Sequence, residues 1–137
     1  MRFLALLALA GCAHAAAVTA PPGFALSRKL AAEVCLPPGE KAWLGKLLCE
    51  NGKPPIITRL GNFGTRTRPA DSNDPRILLQ MDAEVRLKPG EPDLHMIEAV
   101  QAECGAQKYT IYIDEYHCSA QGQPPPELPP PPDHFKN

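Results

Sequence analysis

The sequence has no excess of either charge. Fourteen Lys and Arg stand against 15 Asp and Glu in 137 residues, a net of −1. Setting aside Arg2, which falls in the leader described below, leaves 13 against 15, a net of −2. Such a chain has no electrostatic footprint for nucleic acid, and nothing marks it for acidic substrates. It offers no long hydrophobic run at its N-terminus: Phe3–Ala10 is far short of the ~20 apolar residues that cross a bilayer. Local signatures of several chemistries are missing as well. Ser27, Ser72 and Ser119 have no G-x-S-x-G context. Gly61-Asn62-Phe63-Gly64 lacks the lysine of a P-loop and opens no helix. Asp71-x-Asn73 begins like a calcium loop, but Arg76 stands where that loop needs glycine and Asp82 where it needs glutamate.

Aromatic residues make up 6% of the chain, and all three tyrosines fall in Lys108–Cys118, KYTIYIDEYHC, which also has no Gly and no Pro. β-Branched and aromatic residues suit a pleated, half-buried surface. Tyr109, Ile111, Ile113, Glu115 and His117 alternate with Thr110, Tyr112, Asp114, Tyr116 and Cys118. Large groups on both faces predict an inner strand. Upstream, Leu26, Leu30, Ala31 and Val34 are spaced for one face of a helix over Phe24–Cys35, ended by Pro37-Pro38-Gly39. Asn51-Gly52 signals a hairpin between Trp43–Cys49 and Ile56–Leu60, with a helix over Lys41–Leu48 as the competing reading. Gly61–Pro75 is a 15-residue loop. Arg76–Leu87 alternates as a strand. Leu94–Cys104 fits a helix capped by Asp93 or a strand, and is read here as a strand leading through Gly105-Ala106-Gln107 into the last one. The result is a small α+β domain, mostly antiparallel sheet with one short N-terminal helix, stabilised by disulfides.

Five cysteines, an odd number, leave one for a separate task. Arg2 and the apolar Phe3–Ala10 read as an export signal. Leu9-Ala10-Gly11-Cys12 resembles the lipobox of bacterial lipoproteins. That resemblance implies cleavage before Cys12, a diacylglycerol on its thiol and an acyl chain on its amine. In the enterobacterial version of the class, Asp at the next position retains the protein at the inner membrane. Ala13 stands there, which implies an outer-membrane lipoprotein facing the periplasm. Cleavage after Ala13-His14-Ala15 would instead release a soluble periplasmic protein. The organisation is then a leader over 1–11, a tether over 12–23, one domain over 24–119 and a Pro-rich tail over 120–137, expected to be extended polyproline II.

In an oxidising compartment Cys35, Cys49, Cys104 and Cys118 form two disulfides. An extended Lys108–Cys118 would hold Cys104 and Cys118 some 30 Å apart, at about 3.3 Å per residue, so they do not pair. If the strands form a meander that includes Arg76–Leu87, the directions place Cys49 beside Cys118 and Cys35 beside Cys104.

The densest polar group is Asp114, Glu115 and His117, with His95 able to join from a neighbouring element. No His-x₃-His or comparable spacing accompanies it, so no metal and no cofactor is assigned. Arg59, Arg66, Arg68 and Arg76 crowd around the long loop, as an anion contact or as partners of nearby carboxylates. Two functions follow. One is a non-catalytic envelope module held to the membrane by its lipid, binding a partner protein or wall polymer. The other is a small hydrolase or metal-dependent enzyme using Asp114, Glu115 and His117.

Overall fold

The computed structural model describes residues 22–68 and 73–118. The leader, Cys12, most of the tether, the middle of the 61–75 loop and the Pro-rich tail lie outside the described residues.

The sheet is built on a C-terminal hairpin. Strands β3, Ile97–Cys104, and β4, Gln107–Asp114, pair antiparallel from Ile97↔Asp114 to Cys104↔Gln107. Only Gly105 and Ala106 join them, and Gly105 has a φ of 63°, a conformation that costs glycine little. Strand β2, Ile56–Asn62, adds antiparallel to the far side of β3. Strand β1, Ala32–Glu33, adds parallel to β4. The order is β1-β4-β3-β2, so β4 is an inner strand, as its two-faced pattern predicts. Two helices accompany the sheet, α1 at Leu36–Leu44 and the short α2 at Arg76–Leu79. The domain is a small α+β fold with a mixed sheet and two disulfides.

Residues opposite one another on paired strands project to the same face. One face of the hairpin carries Val100, Ala102, Ile111 and Ile113, and Trp43 and Leu47 pack onto it together with Ala25, Ala32 and Val34. Phe24 meets Trp43 edge to face, ring centroids 6.4 Å apart. Each large apolar side chain buried here contributes about 1.5–3 kcal/mol, which is what fixes α1 against the sheet. The opposite face carries the buried Ile97 and Ala99 and, at the end of β4, Asp114.

Three elements differ from the sequence reading. The helix expected over Phe24–Cys35 is only a 3₁₀ turn at Arg28–Leu30 followed by β1. The true helix starts at Leu36, so Pro37 and Pro38 open it rather than end it. Proline lacks an N–H and has a helical φ, so the first turn, whose N–H groups have no internal partner, accepts it. Trp43 and Leu44 therefore lie in a helix, the competing reading, and Asn51-Gly52 forms a turn between that helix and β2 instead of a two-stranded hairpin. Arg76–Leu87 is not a strand: it is α2 followed by a turn in which Val85 N–H donates to Asp82. Its alternation buries little, since Leu78, Leu79, Met81 and Val85 are exposed while Ile77 is buried.

Losing that strand reverses every direction downstream. With the Asn51-Gly52 turn at the top, β2 runs down, so antiparallel β3 runs up and brings Cys104 to Cys49. β4 runs down and brings Cys118 to the lower end, where parallel β1 delivers Cys35. The bridges are Cys35–Cys118 and Cys49–Cys104, with Cα atoms 4.1 Å and 5.6 Å apart, not the Cys49–Cys118 and Cys35–Cys104 expected from a meander. They span 83 and 55 residues of sequence. Non-reducing peptide mapping is expected to recover these two pairs. Replacing Cys49 and Cys104 together by serine is expected to lower the unfolding free energy by about 4 kcal/mol on the chain-entropy estimate. A peptide joining Cys49 to Cys118 would restore the meander and contradict the topology.

Candidate functional site

β4 ends at Asp114 and Glu115 is the next residue; one further step of the pleat sends these two acids to opposite faces of the sheet. Each becomes the centre of a different cluster.

Asp114 is fully buried, opposite Ile97 of β3 and beside Glu33 of β1. Residues equidistant from the Gly105-Ala106 turn stand opposite one another, which puts His95 across from Tyr116. The two rings stack with centroids 5.2 Å apart. The last residues are pinned to the continuation of β1: Cys35 bridges Tyr116, Leu36 N–H donates to Glu115 and His117 N–H to Val34. Alternation stops beyond Glu115, so His117 swings back to the Asp114 side. Asp93, just before β3, accepts the N–H of His95 at 3.1 Å. Its approach is held by Gln80, which accepts Leu94 N–H at 2.7 Å and donates to Pro92 O at 3.0 Å.

Four side chains therefore converge. His95 Nδ1 lies 3.2 Å from His117 Nε2. His117 Nε2 lies 3.0 Å from Asp114 Oδ2 and 3.2 Å from Asp93 Oδ2. His95 Nδ1 lies 3.1 Å from Asp93 Oδ1 and 3.4 Å from Asp114 Oδ2. One ligand-type atom from each of the four falls within 4.8 Å of all the others. Arg66 closes the group: its Nε donates to Asp93 Oδ2 at 2.8 Å, and an Nη to Asp114 Oδ2 and to Glu33 at 3.1 Å each. Arg66 is placed by the first half of the long loop, where Ile97 N–H donates to Gly64 O at 2.7 Å and the buried Thr65 hydroxyl accepts the N–H groups of Thr67 and Arg68. The cluster borders a cavity of about 350 Å³ lined by His95, Tyr116, His117, Cys118 and residues 83–87.

Burial pushes both imidazoles down, but hydrogen bonds to Asp114 and Asp93 outweigh it and raise His95 to about 9 and His117 to about 10. Burial also pushes Asp93 up, and hydrogen bonds from His117, His95 and Arg66 pull it well below the usual carboxylate range. Asp114 is lowered in the same way by His117 and His95. His95 Nε2 is buried with no hydrogen-bond partner among the described residues.

On the other face, Glu115 meets Glu40 of α1 and Glu98 of β3, with oxygens within 4.8 Å of one another. Arg59 of β2 donates to Glu40 and Glu98. Glu40 is 2% exposed, and one oxygen each of Glu40 and Glu115 has no hydrogen-bond partner among the described residues.

Of the residues singled out from the sequence, His95, Asp114 and His117 come together and Glu115 does not. The four arginines do not form one anion contact. Arg59 joins the glutamates and Arg66 the histidine cluster, while Arg68 and Arg76 both pair with Asp74 at 2.7 Å. Asp93 was legible only as a helix cap, and Glu33, Glu40 and Glu98 carried no local signal. Reflecting the hairpin about its turn was the available clue, because it sets residues 93–97 against residues 114–118. Comparison of the chain with protein-family models, with curated proteins and with solved structures gives no match.

Glu115 provides a pH test. Burial, then the Glu40 and Glu98 carboxylates, push its carboxyl from 4.5 up to about 7. A carboxyl raised by folding contributes stability that is complete below its unfolded pKa and is lost as pH rises through its folded one. Glu115→Gln removes that loss and offers Glu40 an N–H donor. Its melting temperature relative to the unaltered protein is expected to be higher at about pH 8 than at about pH 5. An equal difference at both values would contradict the carboxyl pairing.

Proposed function

We propose that this chain is an exported bacterial envelope protein, anchored through lipid on Cys12, whose domain is a non-catalytic binding module working through the His95–His117 pocket. The observation that carries the binding role is the convergence of His95, His117, Asp93 and Asp114 beside a cavity of about 350 Å³. Both imidazoles are engaged by carboxylates rather than by a nucleophile. All four described cysteines are held in disulfides, so none is a free thiol. That use of cysteine suits an oxidising compartment. A 96-residue domain, 24–119, has a core of marginal size, and two long-range bridges offset that.

Wall polymer or a partner protein remains the setting in which such a module would act, with delivery to the outer membrane implied by Ala13. The hydrolase reading based on Asp114, Glu115 and His117 loses support, because the pleat turns Glu115 to the other face.

Mass spectrometry of the mature N-terminus tests export and anchoring. The expected mature chain begins at acylated Cys12, and Cys12→Ser is expected to leave the precursor uncleaved or rerouted, without lipid. A mature chain beginning at Ala16 with no acyl mass would replace the anchored protein by a soluble periplasmic one.

A further inference from the structure

We infer that Asp93, His95, Asp114 and His117 form a site for one divalent transition-metal ion of the zinc class, which is the ligand of the module. The inference rests on reading this pocket as the binding site.

Spacing is the first argument. Ligand bonds of about 2.0–2.1 Å in a tetrahedron put neighbouring ligand atoms about 3.3–3.4 Å apart. With Asp93 Oδ2 and Asp114 Oδ2 as the carboxylate atoms, the four contacts that the imidazole nitrogens make within one such set run from 3.0 to 3.4 Å. Two histidines joined only by a hydrogen bond need one nitrogen to donate and the other to accept. Here each faces the other and two carboxylates as well, an arrangement that a central cation satisfies at once.

The donor set is the second. Two imidazoles and two carboxylates suit zinc and its first-row neighbours, whereas calcium and magnesium take oxygen. Four protein ligands complete a tetrahedron and leave no open position for catalysis, which fits binding rather than turnover.

Charge is the third. The carboxylates of Asp93 and Asp114 both face the two imidazoles. Two carboxylates balance a dication once it has displaced the imidazole protons.

Outer contacts hold the ligands in place, as metal sites require. Arg66 fixes Asp93 and Asp114, Tyr116 N–H donates to Asp114 Oδ1 at 3.1 Å, and Glu33 lies 3.7 Å from His117 Nδ1. The adjoining cavity gives an entry path, and His117 and Asp93 are 18% and 19% exposed, so an ion can reach the site and leave it.

Calorimetric titration of the full chain, purified with both disulfides formed, tests the site. One Zn²⁺ per chain is expected, with neither Ca²⁺ nor Mg²⁺ competing. His95→Ala and His117→Gln are each expected to weaken zinc binding by at least about a hundredfold, beyond what loss of an outer contact costs. His95 is buried, so its variant can fail to fold; His117→Gln sits at the rim and keeps the test decisive, with disulfide mapping and circular dichroism as the check on folding. No zinc uptake by the folded protein, or full affinity in folded His117→Gln, overturns the inference and makes the cluster a self-contained ion-pair network. An acylated chain that binds no zinc overturns this inference alone. A zinc-binding chain that is never exported upholds it and overturns the envelope assignment alone.

Discussion

A buried carboxylate needs partners, because desolvation of an unpaired charge costs several kcal/mol. Asp114 is fully buried at the end of the inner strand, and much of the lower half of the domain is arranged around that fact. His117 reaches it from the residues after β4, His95 from the approach to β3, and Arg66 from the loop after β2. These segments have no sequence in common and no regular structure at their contact points. Their shared requirement is to face one carboxylate, and this helps to place Arg66 in a stretch with little apolar reason of its own to be held there. The Cys35–Cys118 bridge holds the same corner covalently, immediately after His117.

The sheet separates two kinds of electrostatics. On one face, acids alternate with nitrogen ligands and a guanidinium, and each charge meets an opposite one. On the other, three glutamates share one arginine that is 57% exposed. The Asp114–Glu115 dipeptide feeds both clusters, so substitution of either residue tests one face without touching the ligands of the other.

Strands with two-sided patterns were readable from sequence. KYTIYIDEYHC has both faces filled, and the short Leu94–Cys104 run gave β3 because β4 provides it a partner. The helix was misplaced because a pair of prolines marks either a stop or a first turn, and only the burial of Trp43 against Val100 and Ile111 decides which. Arg76–Leu87 alternates without burying its apolar set, so periodicity alone misled, and that one error reversed the strand directions and exchanged the disulfide partners. His95, Asp114 and His117 were visible as chemistry, but the face on which each would land depended on where β4 stops. Asp93 was hidden in a capping role because its partners besides His95 are 24 and 27 residues away in sequence, at His117 and Arg66.

The central claim is that the convergence on Asp114 holds an ion and is not closed upon itself. Anomalous diffraction at the zinc edge, from crystals grown with one equivalent of zinc, tests it most directly. The account predicts a single peak about 2.0–2.2 Å from His95 Nδ1, His117 Nε2 and one oxygen each of Asp93 and Asp114. A density map with no anomalous peak between the two imidazoles, or with zinc bound only elsewhere on the chain, would contradict it.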